Sequence, residues 1–273
     1  MGMSDENLAE IRNEKAKKIQ HPKGKLTAYE RLNLLLDEGS FSEIDQHVAS
    51  DENPEGEAVI TGTGTIHGRP VFVFSEDFSV MGGSLGEVVA KKILKIMDHA
   101  LEARAPIIGI KDSGGARIQE GISSLFGYAQ IFKKNVEASG KVPQISVVVG
   151  PSAGGAVYSP ALTDFIFQVK DIGQLYVTGP AVVKTVTGED VTFEELGGVE
   201  AHGTKSGVTH QVCETEEQAF EEIRYLMSFL PQSSSQKPPM FITEDEPSRV
   251  IESLDSFIPE NRNQPYDMEK IIL

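Results

Sequence analysis

The chain has 273 residues, 39% of them hydrophobic and 24% charged, enough to bury a core as one large domain or two small ones. Its formal charge of -16, from 25 basic and 41 acidic residues, excludes nonspecific nucleic-acid binding, which needs a basic footprint. A lone cysteine, Cys213, excludes an internal disulfide framework, no secretory leader pattern opens the chain, and the apolar runs fall short of a membrane helix, so a cytoplasmic setting without a membrane partner is expected.

Residues 6–38 read as helical, with Thr27 as a cap before the apolar stripe Leu32, Leu35 and Leu36, which predicts a docking helix. The apolar runs at 58–61 and 70–74 flank the turn chemistry of His67-Gly68-Arg69 and predict a hairpin. Helix and strand patterns then alternate: a helix over 85–103, a strand over 107–110, a helix over 123–136, a strand over 144–149, a helix from Gly155, and strands over 165–169 and 174–177. That order predicts an α/β domain built on βαβαβ. The Ser, Pro and Gln stretch over 231–239 reads as a linker. The expected organisation is an N-terminal helical docking segment over 1–56, a core over 57–232, and a connection over 233–273. Met1-Gly2-Met3 reads as a cloning remnant and the unterminated apolar pattern of 268–273 as a cut, so a fragment is expected.

Two of the apolar strands run into glycine clusters and then helices: Asp112-Ser113-Gly114-Gly115-Ala116-Arg117-Ile118 through Gly121, and Gly150-Pro151-Ser152-Ala153-Gly154-Gly155-Ala156. Such turns present free N–H groups at the edge of a sheet where ligands of α/β folds bind, and glycine lets the backbone come close. Gly198 to Ser206 approaches a P-loop, but Thr204 separates the glycine from the lysine. Gly62 to Gly68 has one residue too many for a dinucleotide fingerprint and sits in a hairpin. Gly150-Pro151-Ser152-Ala153-Gly154 matches a nucleophile elbow, with Asp164 or Asp190 and His202 or His210 following in the order of a serine α/β-hydrolase triad. That reading makes Ser152 a nucleophile and leaves the loop from Asp112 to Gly121 unexplained.

Longer stretches carry a resemblance: Leu34 to Phe41, Gly82 to Glu87, Asp112 to Gly121, Val142 to Ser146, Gly150 to Asp164, Lys184 to Asp190 and Ser206 to Val208. The chain resembles the N-terminal half of the biotin-dependent acyl-CoA carboxyltransferases: the β-subunits of propionyl-CoA carboxylases, transcarboxylase, and the α-subunit of methylmalonyl-CoA decarboxylase. The resemblance implies a crotonase-like spiral of ββα units with no metal. It implies that the amides of Gly154 and Gly155, helped by Ala116, hold a thioester oxygen as the α-carbon becomes enolate-like. Gly114, Gly115, Arg117, Ile118 and Ala153 would bind the rest of the CoA ester, the nucleotide near Arg117 and Ile118. It further implies biotin carried on a separate carrier protein, a C-terminal half that supplies the biotin pocket, and a dimer-based homo-oligomer, a hexamer in the full-length family. A noncatalytic CoA-binding module is a third reading. Tyr29, Val89 and Lys133-Lys134 depart from the residues usual in the family.

Weighed without the resemblance, Asp112 reads as a helix cap, Lys111 and Arg117 as either phosphate ligands or surface pairs, and Lys91, Lys92 and Lys95 as a solvated helix face. His202 reads as a structural hydrogen-bonding residue, and Ser152 as a loop hydroxyl.

Overall fold

The computed structural model describes residues 5–244, 246 and 248–272; Met1-Gly2-Met3 and Leu273 lie outside the described residues. Helix α1, Asp5–Gln20, is followed by α2, Ala28–Leu35. The Thr27 hydroxyl accepts from Glu30 N–H while the Glu30 carboxylate accepts from Thr27 N–H, so two of the helix's orphan amides are satisfied at its start. Strand β1, Ser42–Ile44, then pairs antiparallel with β2, Val59–Ile66, which forms the expected hairpin with β3, Arg69–Glu76. Its two-residue turn has both His67 (φ 53) and Gly68 (φ 72) in the left-handed region, the twist that a hairpin needs.

The alternating part follows: α3, Glu87–Ala103; β4, Ile107–Ser113; α4, Ile122–Ala138; β5, Gln144–Ala153; α5, Gly155–Ala161; β6, Phe165–Val169; and β7, Gln174–Tyr176. Beyond the predicted elements come α6, Pro180–Thr187; α7, Phe193–Gly197; β8, Gln211–Cys213; and α8, Glu216–Phe229. The sheet runs β1-β2-β3-β4-β5-β6-β8, and every pair from β3 onward is parallel. Strand β5 is a branch: Ile145 to Val148 pair with β6, whereas Pro151 to Ala153 pair with β7.

Side-chain alternation sends the strands' residues to two faces. Ile108, Ile110, Val147 and Val149 meet Leu32 and Leu35 of α2 and Phe220 and Ile223 of α8. Ile107 and Phe74 meet Val89, Ile93 and Met97 of α3 and Tyr128 and Ile131 of α4. Contacts divide the chain after Pro239. In the first unit Ser233 is buried and Ser234 N–H donates to the Lys141 carbonyl, so the Ser and Pro stretch begins as packed structure. The second unit contains a short turn at Glu252–Ser256, helix α9, Glu269–Ile272, and an edge-on contact between Phe257 and Tyr266. No helix among the described residues is long and apolar enough to cross a membrane.

Candidate active site

The two glycine turns lie at the ends of adjacent parallel strands. Two steps along β4, from Lys111 to Ser113, match four along β5, from Val148 to Ser152, so β5 bulges there. After β4, Gly115 adopts φ +102, and a β-carbon on it would stand 2.7 Å from the Ala153 carbonyl, so the turns touch where only glycine fits. Leu85 N–H donates to the Gly115 carbonyl and Arg117 N–H to the Leu85 carbonyl, both at 2.9 Å. These bonds bracket Ala116, whose own N–H has no partner among the described residues. After β5, Gly154 takes φ 56 and ψ -120 and turns the chain into α5, whose first residue, Gly155, likewise has an unengaged N–H.

The sequence reading is corrected at Gly154. Its N–H donates to the Tyr176 carbonyl at 3.1 Å, tying the turn to β7, so it is not available to a ligand. The pair of open donors is Gly155 and Ala116. The Tyr128 ring braces Gly155 from behind, 2.5 Å from where a β-carbon would stand.

Four charged residues are also placed differently from expectation. Arg117 is 3% exposed and donates to Glu57 (2.8 Å), Glu120 (2.9 Å) and the Ser84 carbonyl (3.2 Å), so its guanidinium holds loops together while the residue also lines the cavity beside Ile118. Lys111 is neither a phosphate ligand nor a surface residue: it is buried against Glu76 at 3.4 Å with its ammonium over the Phe74 ring. Burial pushes Glu76 up and Lys111 down from their usual pKa values. Asp112 is not a helix cap. It lies fully buried in β4 and accepts from Lys25 (2.7 Å), Arg31 (2.9 Å) and Gln20 (3.0 Å). Lys92 leaves the solvated face of α3 and turns inward to the Val59 carbonyl, where burial and then the Arg12 charge lower its pKa to about 8. Lys91 and Lys95 are solvated as expected, paired with Glu87 and Asp45.

The geometry rejects the hydrolase reading. Ser152 is fully buried inside β5, its hydroxyl has no partner, and it is not among the non-glycine residues with positive φ. His202 donates through Nε2 to the Leu175 carbonyl (2.7 Å) and accepts from Ser206 at Nδ1 (2.9 Å), while His210 accepts from Ile166 N–H (3.0 Å). Neither histidine is free to serve as base. His202 has the structural role expected of it, inside a π-helical turn, Glu200–Lys205, where the P-loop candidate lay.

Ile118 is 86% exposed beside a cavity of about 350 Å³ whose lining includes Phe78, Met81, Ser84, Gly114 and Ala116. Ile118 and Ala116 therefore line one space. Among the described residues no cluster of His, Cys, Asp or Glu could hold a metal ion. The sequence reading missed Arg31, Glu57, Tyr128 and Glu216 as parts of the site. Arg31 carried a signal, because it sits within the buried stripe of Ala28, Leu32 and Leu35 and a charge there needs an internal partner.

Comparison with known proteins places the chain in a family. The family described as "Carboxyl transferase domain" matches residues 19–273. The propionyl-CoA carboxylase beta chain of Roseobacter denitrificans is 55% identical over 93% of this chain and 51% of its own length. The methylmalonyl-CoA decarboxylase subunit alpha of Veillonella parvula is 52% identical over 98% of this chain and 55% of its own. Among solved structures, transcarboxylase 12S, a hexamer with methylmalonyl-coenzyme A bound, superposes with TM-score 0.86 at 41% identity, covering 100% of this chain and 56% of that one. The beta subunit of Pseudomonas aeruginosa geranyl-CoA carboxylase gives TM-score 0.75 at 28% identity, with 98% and 51% covered. The chain spans about half the length of the curated relatives it matches.

Proposed function

Because the chain belongs to the carboxyl transferase domain family, we propose that it forms the acyl-CoA half of a biotin-dependent carboxyltransferase acting on a short acyl-CoA such as propionyl- or methylmalonyl-CoA. Its fold is the crotonase-like α/β fold of that family, with a helical N-terminal segment.

One observation carries the proposal: the unengaged amides of Gly155 and Ala116 sit on turns that touch through Gly115 and Ala153. A thioester oxygen accepting from both would be held where negative charge grows as the α-carbon loses its proton. Donors fixed in advance stabilise that oxyanion without reorganising during the reaction. Gly114 and Ile118 line the space for the rest of the ester, and Arg117 holds the loop that carries Ala116. Carboxybiotin, brought by a separate carrier protein, supplies the carboxyl group. The donors of this chain fit the thioester, and the biotin side is assigned to sequence equivalent to the other half of the longer relatives, in a homo-oligomer. Carboxylation, transcarboxylation and decarboxylation share this enolate, so the same two donors serve each.

The test adds a polypeptide equivalent to that other half and a carboxylated biotin carrier. In Gly155→Ala the new β-carbon meets the Tyr128 ring and displaces the amide. Carboxyl transfer to propionyl-CoA is expected to fall by about 10²–10³-fold, as for loss of one oxyanion donor, with affinity for CoA retained. Unchanged turnover would refute the assignment.

A further inference from the structure

Beneath both glycine turns lies an ionic cluster that the chemistry above does not use, and its centre comes from outside the sheet. Arg31 of α2 is fully buried. Its guanidinium donates to Asp112 at 2.9 Å, to the Val149 carbonyl at 3.3 Å, and to Glu216 of α8 at 2.6 Å. Asp112 is the residue before Ser113 and the first turn, and Val149 is the residue before Gly150, inside the bulge that leads to the second. One planar side chain thus grips the roots of both loops. Burial alone would lower the Arg31 pKa, but Asp112 and Glu216 more than offset it, so the group stays charged.

We propose that Arg31 is a positioning residue for the oxyanion site: by spanning Asp112 and Val149 it sets the spacing of the Ala116 and Gly155 amides, which makes the N-terminal segment part of the active site. The inference rests on the assignment of those two amides to a thioester oxygen. The fork of a guanidinium fixes two acceptors in one plane, whereas an ammonium is a point charge on a flexible stem. Arg31→Lys keeps the charge and loses the span. If the residue only fastened α2 to the core, a lysine that still paired with Asp112 would leave a bound ligand unaffected.

The readout is the infrared stretch of propionyl-CoA carrying a heavy carbon isotope at the thioester carbonyl, bound to the 273-residue chain. Polarisation by two N–H donors moves that stretch to lower frequency. The expected result is a clear downward shift in the unaltered chain, most of it lost in Arg31→Lys, with CoA itself, which has no thioester, bound equally by both. A shift kept in full by Arg31→Lys would overturn the positioning role and leave the oxyanion assignment standing. No shift in the unaltered chain would overturn both. Should Arg31→Lys lose its melting transition, Asp112→Asn, which keeps the shape of the partner, is read the same way. Loss of the fold in both variants would reduce Arg31 to a structural clip and refute the proposal.

Discussion

The carboxylate of Asp112 fills the space that a β-carbon on Gly150 would need, so the end of β4 nests inside the bulge of β5. The two glycine turns are therefore not independent: one buried charge, neutralised by Lys25 and Arg31, stands behind both. Gly150→Ala must displace that charge from its partners. Its cost should exceed the about 1–3 kcal/mol of ordinary overpacking and approach the 3–5 kcal/mol of breaking a buried ion pair. Denaturant unfolding with an unchanged slope measures it.

Arg117 makes a second prediction, which separates its structural role from a phosphate-binding one. Arg117→Ala strands Glu57, itself fully buried, and should destabilise the fold by about 3–5 kcal/mol. A phosphate ligand would instead alter the salt dependence of CoA affinity. That dependence is expected to stay the same in the folded fraction.

Lys92 gives a pH-dependent prediction. Its pKa in the fold, about 8, lies below the ordinary 10.5, so between those values the unfolded chain holds more protons than the folded one. Stability contributed by this site therefore rises with pH across that window, and below pH 8 the penalty for burying the charge is present in full. Relative to Lys92→Met, the unaltered chain should gain up to about 1.4 kcal/mol per pH unit over the window. Paired unfolding curves from pH 7 to 10 report the slope, and a flat difference would contradict the burial account.

Strands β4, β5 and β6 were legible because each holds a continuous apolar run, as a parallel sheet buried on both faces demands, and the hairpin because His67-Gly68-Arg69 is turn chemistry; the three-residue β1 and β8 hold no such run and were not foreseen. The glycine turns were legible as turns. Which amide faces a ligand was not, since the bond that occupies Gly154 N–H comes from Tyr176, and pairing between β5 and β7 leaves no mark in the local sequence. The charged residues were misread for a related reason. Lys111, Asp112 and Arg117 look like surface or cap residues until Glu76, Arg31 and Glu57 arrive from up to 81 positions away. Long-range pairing decided their burial.

Ser152 provides a prediction on mechanism. With its hydroxyl buried and both candidate histidines engaged elsewhere, a fluorophosphonate probe should leave the folded chain unlabelled. Stoichiometric labelling lost in Ser152→Ala would restore the hydrolase reading.

The central claim is that a thioester oxygen is held between the amides of Gly155 and Ala116, and a crystal structure with propionyl-CoA bound tests it most directly. The account predicts that oxygen about 2.7–3.1 Å from both nitrogens, with Gly154 N–H still bonded to Tyr176. An oxygen bound away from both amides, or reached by Gly154 after release of Tyr176, would contradict it.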